Sequence, residues 1–117
     1  MAFRHESRRT AAVTTAESIL ASTFIERLRC ELFVDTAQFE ALCRDLRTLA
    51  AEWKDQTHVE KRIVADLYVL APITFAMAQT ISTTRPALGD RVHEMAIEID
   101  ALVLDCLASG SSNGDQA

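Results

Sequence analysis

The side chains able to do chemistry are few and scattered. Three histidines, His5, His58 and His93, lie in separate stretches of a 117-residue chain. Di-iron bundles need several inward carboxylates and a Glu-x-x-His pair on each of two helices. The nearest spacing here is a single Asp90-x-x-His93, which cannot complete a metal site alone. There is no His-Glu-x-x-His, phosphate-binding glycine loop or nucleophile elbow. Cys30, Cys43 and Cys106 are widely spaced, odd in number and set in apolar runs, without the paired spacing that zinc requires. They predict small buried residues in a reducing compartment. Taken together, these residues predict a non-enzymatic protein with no cofactor and no metal.

His58 is the one histidine with a recognisable neighbourhood. It stands in His58-Val-Glu-Lys61-Arg62, and Thr57-His-Val-Glu60 has the form of a capping box that opens a helix. The His-x-x-Lys spacing resembles the phosphoacceptor site of histidine phosphotransfer domains, which implies a helical bundle with His58 as the phosphorylated residue. The resemblance covers five residues and departs at three points. Arg62 replaces the glycine that lets a response regulator approach. Glu60 takes an apolar position and would repel a phosphoryl group. The capping box places His58 at the end of its helix instead of the middle. His58 is thus the candidate of an alternative reading, a phosphotransfer-like bundle.

Four helices can be read around these residues. Thr14-Thr-Ala-Glu17 forms a capping box, and Leu20, Phe24, Leu28 and Leu32 make an i+4 stripe running to about Val34. Asp35 or Thr36 caps a second helix with Gln38 as partner, and Phe39, Leu42, Leu46, Leu49 and Trp53 make its heptad seam. The third carries Val59, Ile63, Leu67, Leu70, Ile73, Met77 and Ile81, with a kink at Pro72, whose ring removes a donor and clashes with the preceding turn. Pro86 suits the first position of the fourth, whose inward stripe is Leu88, Val92, Met95, Ile99, Leu102 and Cys106, with Gly110 as its stop. Short connections between amphipathic helices favour antiparallel neighbours. The prediction is all-α: an antiparallel up-down four-helix bundle with a Pro-kinked third helix. It divides the chain into a disordered basic arm over 1–12, a single domain over 13–108 and a disordered tail over 109–117.

Composition narrows the function classes. With 17 acids against 12 bases the net charge is −5, which excludes the basic face that nucleic-acid binding needs. The uncharged run Leu67–Thr84 contains Pro72, Gln79 and several hydroxyl side chains, which argues against a membrane span. No apolar core of signal-peptide length precedes Thr14, so a cytoplasmic location is expected. The acidic row Asp90, Glu94, Glu98 and Asp105 predicts a solvated face of the last helix.

Surplus hydrophobicity is the strongest functional signal. Val64, Tyr68 and Phe75 lie off the main stripe of the third helix, and Ile97 and Leu104 point away from that of the fourth. Two consecutive helices with an aligned extra apolar row predict an interface with a second copy, as a homodimer, or with another protein. A further alternative is a small apolar ligand near the Pro72 kink, where the freed Tyr68 carbonyl offers a polar contact.

Overall fold

The computed structural model describes residues 15–108. The arm over 1–12, the Thr14 half of the first capping box, Gly110 and the tail over 109–117 lie outside the described residues. Among the described residues all regular structure is α-helical: residues 15–20 (α1), Phe24–Glu31 (α2), Thr36–Trp53 (α3), Lys61–Tyr68 (α4), Leu70–Ser82 (α5) and Pro86–Ala108 (α6).

The expected first helix is broken between α1 and α2. The Ser22 hydroxyl accepts from the Phe24 N–H at 3.3 Å, and the Gln38 side-chain oxygen accepts from the Thr23 N–H at 3.3 Å. Side chains thus take over the backbone donors that would have continued the helix. The break re-phases the stripe: Ala16 and Ile19 are buried, and Leu20 turns outward. α2 then stops short of Val34. Leu32 takes up a left-handed conformation (φ 52°), and the Leu32 and Phe33 N–H groups both reach back to the Arg27 carbonyl, the second at 3.2 Å, which closes off the end of the helix. Asp35 caps α3 as read, accepting from the Gln38 N–H at 3.1 Å. Its other oxygen holds Arg27 at 2.7 Å, and that guanidinium sits 4.9 Å from the centre of the Phe33 ring. One arginine therefore fastens the whole α2–α3 turn.

The seam of α3 from Phe39 to Trp53 is buried throughout, as its heptad spacing requires. The Thr57–Glu60 capping box does not form. α4 begins at Lys61, Glu60 is its N-cap without a side-chain bond, and the Thr57 hydroxyl lies 3.1 Å from His58 Nδ1 instead. The segment 54–60 is committed to crossing from α3 to α4, and Glu60 is extended (φ −70°, ψ 123°), so the box cannot close. α4 and α5 are separated by Val69 alone. Pro72, three residues on, has no N–H to give the Tyr68 carbonyl. Fully buried Thr74 bonds the Leu70 carbonyl at 2.8 Å through its hydroxyl, a second local competitor for the helix ladder.

α5 turns back through residues 83–85 into α6, which Pro86 opens as expected. The turn requires Gly89: a Cβ there would stand 2.8 Å from the Ser82 Cα. α6 packs between α5 and α3, and α2 rests on both α3 and α5, so four helices enclose one core. The start of α3 is tied to the start of α6, Thr36 to Arg91 at 3.0 Å, and its later part to the later part of α6, Arg47 to Glu98 at 3.3 Å and Leu46 O to Cys106 Sγ at 3.2 Å. These two neighbours therefore run in the same direction. The main packing partner of α3 is thus α6, which does not follow it in the sequence.

Candidate functional site

Apart from Leu32, Phe33 and Val59 in the connections, the exposed large apolar side chains gather on the outer row and at a cleft. On the outer row, Tyr68, Ile97 and Leu104 are 64%, 51% and 52% exposed. The Phe75 ring meets the His93 ring edge-on at 5.1 Å, which sets the outer edges of α5 and α6 side by side. Phe75 and Val64 are half-buried against the core, so they support the row more than they present it. By length and composition Lys61–Ser82 could cross a membrane, yet only 22% of its apolar window is buried inside the fold. α4 and α5 thus carry apolar surface that the described helices do not cover. The acidic side chains Asp90, Glu94, Glu98 and Asp105 are exposed, and Glu98 is held by Arg47 at 3.3 Å.

The cleft holds about 370 Å³ and lies where α1, α2 and α3 meet the α4–α5 break. Its floor is apolar: Ile19, Leu42 and Leu70 are buried, and Ile25 and Ile73 are half-buried. Leu20 and Val69 stand at the mouth, 44% and 49% exposed. Glu26, Arg29 and Asp66 supply its charges, and Cys30 opens onto it. The Pro72 break was the only signal for this site in the sequence. It places Val69, Leu70 and Ile73, but Tyr68 is not among the lining residues. The contributions of α1 and α2 depend on the break at residues 21–23, which no periodicity announces.

Cys30 is a correction. It is exposed, whereas Cys43 and Cys106 are buried as expected, and none of the three forms a disulfide. Burial pushes the Cys43 and Cys106 thiols up to about 11. Its place in an apolar run suggested burial, but α2 buries only the Phe24–Leu28 face.

His58 is exposed in the connection ahead of α4 and not on a helix, so the helical setting that the phosphotransfer resemblance implies is missing. Asp90 and His93 are both exposed on α6. Among the described residues no three His, Cys, Asp or Glu side chains gather as metal ligands. Comparison with protein-family models, curated proteins and solved structures found no match.

Proposed function

We propose that this chain is a non-enzymatic helical-bundle protein that acts through protein–protein contacts, as a homodimer joined by the outer row of α4, α5 and α6. One observation carries the reading: Tyr68, Ile97 and Leu104 are large, apolar or aromatic, and more than half exposed on adjoining helices. Residues of this kind anchor interfaces, whereas neighbouring charges mainly set register. In the same reading the chain follows an antiparallel up-down course, with α4 and α5 as one third helix kinked at Pro72. Its setting is cytoplasmic and reducing, which three cysteines without a disulfide suit, and its partner is neither nucleic acid nor membrane. The break at Val69 and the charge of Asp66 favour a protein over a lipid as the cover for α4 and α5.

A twofold interface introduces any substitution twice, so a charge there is strongly disruptive. Leu104→Asp should convert the protein to monomers in light scattering while preserving its far-ultraviolet helix signal. Wild-type protein that is already monomeric at high concentration would overturn the homodimer.

A further inference from the structure

The cleft at the α4–α5 break has the properties of a small-molecule site, and we infer that it binds a small amphiphilic cation, an apolar chain carrying a protonated amine. Its volume of about 370 Å³ lies in the range of ligand pockets, which run from about 300 to 1,000 Å³. A chain seated on the buried floor would cover Leu20 and Val69, two of the large apolar side chains that the fold leaves in water. The head group is chosen by charge. Glu26 and Asp66 oppose Arg29 at the cleft, and among the described residues none of the three belongs to an ion pair. The local balance is therefore one net negative charge, and the whole chain carries −5. Both the near and the far field favour an ammonium over a carboxylate. The site is separate from the outer row, and its occupancy does not depend on self-association.

Cys30 reports on occupancy, because it is the exposed thiol at the cleft while Cys43 and Cys106 are buried. Its reaction with a thiol reagent would be timed in the full chain with octylamine, octanol or octanoate, each below its micelle-forming concentration. Only the unoccupied fraction reacts, so octylamine at roughly ten times its dissociation constant should slow the fast phase about tenfold. Octanol should bind about fivefold more weakly and octanoate more weakly still, the difference that rim charges of this kind supply. Glu26→Gln with Asp66→Asn should erase the preference for amine over alcohol. Val69→Trp, a change at an exposed position that fills the mouth, should abolish the amine effect. The proposal is overturned if octylamine leaves the Cys30 rate unchanged, or if octanoate protects as well as octylamine. Protection that persists in Val69→Trp would overturn it too, by placing the amine elsewhere.

Discussion

Leu32 holds a backbone conformation that costs any residue with a Cβ roughly 1–2 kcal/mol. It stands at the position where helices favour glycine, and its side chain is 46% exposed. Leu32→Gly should therefore stabilise the protein by about 1 kcal/mol, seen as a higher urea midpoint with an unchanged slope. Three residues on, Asp35 is held below its ordinary 3.8, first by the Gln38 N–H and then by Arg27. A depressed carboxyl favours the folded state above its unfolded value and loses that contribution as pH falls through the folded one. Stability should therefore drop on acidification below about pH 4, and Asp35→Asn should flatten that part of the pH profile. The buried thiols act at the other end. Cys43 and Cys106 ionise near 11 in the fold against 9.0 when free. Their contribution is intact below pH 9 and is lost as pH rises towards 11, at about 2 kcal/mol or more for the pair. Thermal melts of wild type and Cys106→Ala over that window should differ in slope.

At the scale of elements, two contacts decide how helices meet. The turn from α5 into α6 leaves no room beside Ser82, and the nearest fixed obstacle is a backbone atom 2.8 Å from where a Cβ at Gly89 would sit. Alanine normally improves a helix interior by about 0.5–1 kcal/mol over glycine. Overpacking against backbone costs about 1–3 kcal/mol, so the clash should win. Gly89→Ala is expected to lower stability, and Ser82→Ala should not restore it, because the obstructing Cα stays in place. On α3, Trp53 closes the seam at 5% exposure. Trp53→Ala should cost about 3–5 kcal/mol in chemical denaturation. A near-neutral result would show that the end of the seam contributes little to the core.

Over the whole molecule, the contrast between inner and outer apolar residues is the test of function. Leu67 is 1% exposed within the core, and Leu104 is 52% exposed on the far side of α6. Burying an unpaired carboxylate has no compensation, so Leu67→Asp should unfold the chain outright, with loss of helical circular dichroism. Leu104→Asp should keep the fold and change only the mass in solution. If both variants unfold alike, Leu104 belongs to the core and the outer row is not a free surface.

The amino-acid sequence by itself determined what local chemistry can settle. Helical periodicity marked the seam from Phe39 to Trp53 and the inward face of α6, because burial of a stripe repeats with the helix. Asp35 with Gln38, and Pro86, announced their helix starts because capping acts within a single turn. The tertiary structure alone decided the break at residues 21–23, where Gln38 from α3 captures the Thr23 N–H. It also decided the failure of the Thr57–Glu60 box, whose residues belong to a crossing segment, and the choice of α6 as the neighbour of α3. Cys30 and the cleft follow from these. A thiol in an apolar run looks buried until the helix phase shifts. A cleft built from five helices exists only once contacts between residues far apart in the chain place its walls, and no periodicity along the chain encodes that placement.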